Sequence, residues 1–242
     1  MSEKLTNLIQ IPPDAEAIFK TRPNRYLGIV DIISPQIQHN VMVHIHDPGR
    51  LKELLYSGNK VLLRSVPGAH RKTQWDVLAA RYDTQWVLIH SGYHRQIAEQ
   101  ILTNPEIMPY PDVKKYRAEV RLNDSRMDFW LALQNGKQVW VEVKGCTLSQ
   151  NRLALFPDAP TKRGAKHLKT LIERKTDGFE AAVVILIFRT DADCFRPNQE
   201  TDQDFSFLFY QAIKMGVEIH PYILSYFGNN IYFHRKISIC PD

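Results

Sequence analysis

The 242-residue sequence predicts a chain of the α/β (α+β) class: a small N-terminal β-barrel followed by a larger mixed-sheet domain. Three observations point there. The first 90 residues carry short strand-like runs separated by turn signals, with no long helical pattern. From Tyr93 onward, helical periodicity appears and alternates with strand-length apolar runs. One stretch, Ala181 to Phe188, is apolar without interruption, as a strand covered on both faces would be. The expected division is residues 1–90 and residues 91–242.

In the first part the expected strands are 15–22, 26–33, 39–45, 59–66, 73–82 and 85–90. Aromatic and β-branched residues mix with polar ones in each. The breaks between them fall at Arg22-Pro23-Asn24, Ser34-Pro35, Asp47-Pro48-Gly49, Ser57-Gly58-Asn59 and Pro67-Gly68. A short helix is expected from Arg50 to Leu55. Five or six short strands with one helix suit an OB-like barrel, a fold that binds single-stranded nucleic acid through a basic groove and exposed aromatics. A generic small barrel fits the same pattern.

The second part opens with a helix over 93–103, its apolar stripe at Ile97, Ile101 and Leu102. A proline-rich link (Pro105, Pro109, Pro111) leads to strands at 116–122, 125–133 and 138–144. A helix follows from about Thr161 to Lys175, with Thr161 as N-cap, Ala165, Leu168 and Ile172 buried, and Gly178 as the stop. Strand 181–188, a helix at 203–215 and strands at 217–224 and 230–238 complete the pattern.

Composition narrows the function classes. No apolar run approaches the roughly 18 residues that cross a bilayer, so no membrane partner is expected. The first ten residues, MSEKLTNLIQ, carry no secretion signal. Three scattered cysteines (Cys146, Cys194, Cys240) suit a reducing cytoplasm better than a disulfide framework, and their spacing excludes a zinc knuckle. Net charge is +5. The basic residues cluster at Lys20, Arg22 and Arg25, at Arg64, Arg71 and Lys72, and at Lys162, Arg163, Lys166 and Lys169. Clusters of this kind suit a polyanionic partner, DNA or RNA, and solvated surfaces give the same pattern.

Two segments carry chemistry: Ser125-Arg126-Met127-Asp128-Phe129 and Val141-Glu142-Val143-Lys144. Strand side chains alternate between faces, so Val141 and Val143 point to the core while Glu142 and Lys144 share the other face. An isolated Glu-x-Lys in a strand is ordinarily a surface ion pair. Here an acid, Asp128, stands on the preceding apolar strand. Two carboxylates with an adjacent lysine are what metal-dependent phosphodiester hydrolysis requires. Mg²⁺ or Mn²⁺ takes oxygen ligands, and a lysine positions water and offsets developing charge. The hairpin register decides whether the set assembles. A two-residue Asn135-Gly136 turn would put Asp128 opposite Val143, on the wrong face. A three-residue loop, Gln134-Asn135-Gly136, would pair Leu133 with Lys137 and set Asp128 opposite Glu142.

This arrangement resembles the PD-(D/E)-x-K restriction-endonuclease-like nucleases. Further stretches, Glu119-Val120, Val141 to Leu148 and Phe156 to Leu168, together with Arg22 to Tyr26 and His44 through Leu51, are similar to the sugar fermentation stimulation protein A (SfsA) family over residues 15 to 235. The resemblance implies an N-terminal OB-like domain, a C-terminal nuclease-like domain and DNA binding. It also implies the family's link to sugar (maltose) metabolism, which carries a second reading: a DNA-binding regulator on a nuclease scaffold without turnover. It points to Glu99 as a helix acid that adds to the metal set and, more weakly, to Glu119. Arg163, Lys166 and His167 could touch the scissile phosphate or form only the polar face of their helix, and Arg126 could pair with a carboxylate; the basic cluster at Arg22 and Arg25 offers further phosphate contacts on charge alone. One loop departs from the family pattern. Where the family reads His-x-Pro-Asn-Thr-Gly, this chain has His44-Ile45-His46-Asp47-Pro48-Gly49. The sequence carries no interface signature for a homodimer, although nucleases of this fold often pair.

Overall fold

The computed structural model describes residues 5–122 and 125–241. In chain order the strands are β1 (Thr6–Gln10), β2 (Ala15–Asn24), β3 (Leu27–Ser34), β4 (Gln38–His44), β5 (Lys60–Ser65), β6 (Trp75–Tyr82) and β7 (Gln85–Leu88). Helix α1 (His94–Thr103) follows, then β8 (Val113–Leu122), β9 (Ser125–Leu133), β10 (Gln138–Cys146), β11 (Leu148–Gln150) and β12 (Leu153–Phe156). Helix α2 (Lys162–Thr176), β13 (Glu180–Ile187), β14 (Cys194–Pro197), α3 (Gln203–Lys214), β15 (Glu218–Phe227), β16 (Asn230–Lys236) and β17 (Ser238–Ile239) complete it.

The barrel is the sequence β4-β3-β2-β5-β6, closed by a parallel contact of β4 with β6 at Val43↔Trp75. Closure removes the exposed edges that an open sheet would present. The six expected strands all form. The expected helix from Arg50 to Leu55 does not. That segment makes one turn, held by Leu54 N–H and Leu55 N–H donating to the Leu51 carbonyl, and runs on in irregular structure. Leu51 and Leu54 are buried in the core, so packing rather than helical hydrogen bonding fixes it.

From the barrel the sheet continues without a break through β7, β15, β13, β10, β9 and β8. Strands β10, β13 and β15 are parallel, whereas β8, β9 and β10 form an antiparallel meander. The uninterrupted apolar run of β13 is covered on both sides, as its composition requires. Ala182, Val184 and Leu186 face one core with α1, and Ala181, Val183, Ile185 and Ile187 face another with α2 and α3. Thr161 Oγ1 caps α2 by accepting from Gly164 N–H at 3.0 Å. Asp202 caps α3 and also accepts from Thr161 N–H at 2.7 Å, which ties the two helix starts together.

The two parts share one core: barrel residues such as Val61 and Leu78 belong to the same cluster as Ile97, Val141 and Val184. The fully buried Arg189 reinforces the junction. Its guanidinium sits 3.6 Å over the Tyr82 ring of the barrel and pairs with Asp191. The expectation of unpaired cysteines is corrected: Cys194 and Cys240 form a disulfide, and Cys146 is the free thiol, buried. Their separation of 46 residues left no local signal. Among the described residues no helix is long and apolar enough to cross a membrane.

Candidate active site

The β9–β10 connection is the three-residue loop. Leu133 N–H donates to the Lys137 carbonyl at 2.9 Å, and Gly136, at φ 83°, supplies the left-handed position that such a loop needs. The register runs Gln138↔Ala132 to Val141↔Phe129, so its continuation sets Asp128 beside Glu142. The ladder stops at that point. Asp128 turns its carboxylate to the next amide, accepting from Val143 N–H at 2.7 Å. Trp130, Trp140, Glu142 and Lys144 lie on the sheet face that α2 covers, and Val139 and Val141 lie on the α1 side.

Glu142 is only 2% exposed. One of its oxygens, Oε1, takes the Lys144 ammonium at 2.5 Å and also the Nδ1 of His167 from α2. The other, Oε2, is buried with no hydrogen-bond partner among the described residues. Burial alone would push the Glu142 carboxyl up, but Lys144 and His167 outweigh it and hold it below the ordinary range. Asp128 behaves oppositely. Burial and the neighbouring Glu142 charge raise it to about 6, against the opposing Val143 amide and Lys144.

These residues fit a divalent cation. Two carboxylates repel one another in a partly dry site, one of their oxygens is buried without a donor, and every identified group around them is either a cation or a hydrogen-bond donor. A hard cation with oxygen ligands relieves both the repulsion and the orphaned oxygen.

The other residues singled out from the sequence fall in different places. Glu99 on α1 is engaged by Arg95 at 3.0 Å and by the Tyr116 hydroxyl at 2.7 Å, so its carboxylate is held away from the pair. Glu119 pairs with Arg126 at 3.1 Å on the surface. Arg22 requires a correction as a phosphate contact. Its two terminal nitrogens donate to the carbonyls of Arg25, Asp47, Gly49 and Arg50 at 2.7–3.1 Å, so the side chain staples the 47–50 loop. Arg25 is exposed. Lys20, Arg64 and Arg71 are paired with Asp31, Asp14 and Asp76, which neutralises part of the first two basic clusters. On α2, Lys162, Arg163, Lys166 and Lys169 are exposed on the helix that carries His167, and Arg163 approaches the far nitrogen of His167 at 3.5 Å.

One neighbour of the site carries its own sequence signal, a glycine within β10. Gly145, directly after Lys144, lies against His94 of α1, where a Cβ would come within 2.1 Å of the ring. A glycine inside an apolar strand marks such a close approach. The His94 ring stacks on Phe188, and its enclosure, with His90 and Lys144 nearby, lowers it to about 4. Neutral imidazole therefore backs the end of β10.

Comparison with known proteins agrees with this architecture. Residues 92–229 match the family described as sugar fermentation stimulation protein RE domain, and residues 21–89 match the SfsA N-terminal OB domain. A sugar fermentation stimulation protein homolog of Methanococcoides burtonii is 42% identical over 97% of this chain and 96% of its own length. The homolog from Thermosipho melanesiensis is 45% identical over 98% of this chain and 100% of its own. The structure of Pyrococcus furiosus SfsA, solved in complex with Ca²⁺, aligns with a TM-score of 0.84 at 26% identity, covering 98% of this chain and 100% of that one. The OB barrel, the RE-type mixed sheet and these alignments lead to one conclusion: the chain belongs to the sugar fermentation stimulation protein (SfsA) family.

Proposed function

We propose that the chain binds DNA and hydrolyses its phosphodiester bonds with Mg²⁺ or Mn²⁺ held by Asp128 and Glu142. The observation that carries this reading is the state of Glu142: buried, cation-paired through Oε1, and without a partner on Oε2 among the described residues. The relative from Pyrococcus furiosus was solved with Ca²⁺, an ion of the same oxygen-preferring class, which supports a divalent cation here. Bound to the carboxylates, such a cation supplies Lewis acidity and lowers the pKa of a coordinated water.

The chain's own residues supply the rest. Lys144 and His167 converge on Oε1 and fix the Glu142 rotamer, so Oε2 would be available to hold a cation. Asp128 is held by the Val143 amide, so its carboxylate needs little reorganisation. The Lys144 ammonium, part-buried beside Glu142, would offset negative charge growing on the phosphoryl oxygens as a water oxygen bonds to phosphorus, its proton passes to solvent and the ester oxygen leaves. Lys162, Lys166 and Lys169 line the exposed side of α2 and provide a track for phosphates flanking the scissile one.

The test is single-turnover cleavage of end-labelled single- and double-stranded DNA, with RNA in parallel, in Mg²⁺ or Mn²⁺. Wild type is expected to cleave, and Asp128→Ala and Glu142→Gln are expected to bind the oligonucleotide but leave it intact. Cleavage that survives both substitutions would remove these residues from the reaction. Metal-independent binding without any cleavage would favour a DNA-binding regulator on this scaffold.

A further inference from the structure

The barrel carries a second cluster of ligand-type side chains that the site at Glu142 does not use. His46 lies just beyond β4, Asp76 within β6 and His90 just beyond β7. The Nε2 atoms of both imidazoles converge on one carboxylate oxygen, Asp76 Oδ2, at 2.9 Å from His46 and 3.5 Å from His90. The rings stack with centroids 3.8 Å apart. Asp76 is 3% and His90 8% exposed. The three ligand atoms lie within 4.8 Å of one another, an arrangement that no other histidine, cysteine or acid triplet achieves among the described residues.

These spacings have a metric meaning. Ligand atoms at about 2.0–2.2 Å from a shared cation stand roughly 2.9–3.5 Å apart in octahedral or tetrahedral geometry. The two measured separations fall in that window without rearrangement. The surroundings hold the ligands in place. The Ser91 hydroxyl donates to the His46 carbonyl at 2.9 Å. Gly92 leaves room for the His90 ring, which a Cβ would approach to 2.9 Å. Arg71 takes the other Asp76 oxygen, Oδ1, so Oδ2 is left to the imidazoles. Its charge opposes a second cation nearby and would weaken, not abolish, metal binding.

We propose that His46 Nε2, Asp76 Oδ2 and His90 Nε2 form a second metal site, for a transition cation of the zinc class, with water completing the coordination. Two nitrogen donors and one carboxylate select zinc-like ions over Mg²⁺ and Ca²⁺, which prefer oxygen. The cation ties together three segments at the barrel's junction with the second domain. The His46 segment runs on to the 47–51 loop, where Leu51 N–H donates to Asp158 ahead of α2. His90 leads into α1. The role is structural: it fixes the loop that joins the barrel to the α2 side.

The experiment uses the full chain in an Asp128→Asn/Glu142→Gln background, which silences the carboxylate site. Chelator-stripped protein is titrated with Zn²⁺ against a chromophoric competitor, and with Co²⁺ while visible absorption is recorded. One tight Zn²⁺ per chain and Co²⁺ bands of a mixed nitrogen–oxygen site are expected. His46→Gln, with the apo fold checked by circular dichroism, should weaken Zn²⁺ binding by roughly a hundredfold or more, beyond the 10–100-fold loss typical of an outer-shell partner, and change the Co²⁺ bands. Arg71→Gln keeps all three ligands and removes the opposing charge, so it should tighten binding. This second variant decides the matter if His46→Gln does not fold. Zn²⁺ binding that is weak, or unchanged in both variants, overturns the site.

Discussion

At the scale of single residues, Lys144 and Asp128 separate catalysis from charge. In Lys144→Ala both carboxylates remain, so metal binding should persist while the single-turnover rate falls roughly a hundredfold or more, as with loss of one oxyanion donor. Lys144→Arg should not rescue it, because a planar guanidinium cannot replace a compact ammonium hydrogen-bonded to Glu142 Oε1. Oligonucleotide affinity measured alongside decides the role: a loss of affinity equal to the loss of rate would make Lys144 a phosphate-binding residue only. Asp128 gives a stability signature. Its folded-state pKa, about 6, lies above the ordinary carboxylate value of 3.8. Below pH 3.8 both states are protonated and there is no penalty. The penalty grows as pH rises toward 6 and is complete above it. In chelator, Asp128→Asn should therefore be more stable than wild type at pH 8, by on the order of 3 kcal/mol or roughly 6–12 °C in Tm, with the difference vanishing below pH 4. Added Mg²⁺ should reverse the order by stabilising wild type alone. Equal melting temperatures at pH 8 would show that Asp128 is not confined beside Glu142.

At the scale of elements, what the sequence made legible depended on how local each determinant was. The apolar period of β13 and the capping of α2 are written in neighbouring residues, and both formed as expected. The Asn135-Gly136 pair fits two hairpin loops, and only the demand that Asp128 and Glu142 share a face selected the longer one, which the structure has. Strands β11, β12, β14 and β17, of two to four residues each, are too short for periodicity to register. The Cys194–Cys240 link and the His46–Asp76–His90 cluster join segments with no common motif, so only folding brings them together. Arg22 shows the opposite case: its charge suggested phosphate, yet the fold turns it onto four carbonyls. Accordingly, Arg22→Ala should destabilise the fold by about 2–3 kcal/mol, through loss of charged hydrogen bonds, without altering the salt dependence of DNA binding. Lys166→Gln/Lys169→Gln should do the reverse, leaving stability near wild type and reducing the slope of log affinity against log salt by roughly 1.8 on duplex DNA. Denaturant titration and binding isotherms at several salt concentrations measure both. A reduced slope in Arg22→Ala would restore it as a phosphate contact.

At the scale of the whole molecule, the chain reads as two units in sequence but is held as one in structure. The sheet passes from the barrel through β7 to β15 at the Trp86↔Tyr226 pair. The same apolar cluster contains Leu78 from β6, Ile97 from α1 and Val184 from β13. Separating the units would expose that core, uncover the wholly buried Arg189 and break the Gln85–Thr190 hydrogen bond of 2.9 Å. Linked domains with small polar interfaces unfold independently, but a shared apolar core makes partial unfolding expensive. Scanning calorimetry in chelator should therefore show one transition, with an enthalpy near 170 kcal/mol at about 0.7 kcal/mol per residue and an equal van't Hoff value. Arg189→Met tests the coupling directly. It removes the guanidinium from Tyr82 and Asp191 while keeping an apolar stem of similar length. Loss of its charged hydrogen bonds to the part-exposed Asp191 is expected to cost about 2–3 kcal/mol and lower Tm by roughly 4–12 °C. If the core is truly common, the variant's transition shifts as a single peak. If Arg189 alone couples the units, the peak splits and the van't Hoff enthalpy falls well below the calorimetric one. Two transitions in the wild type itself would show that the barrel and the RE domain fold separately despite their continuous sheet.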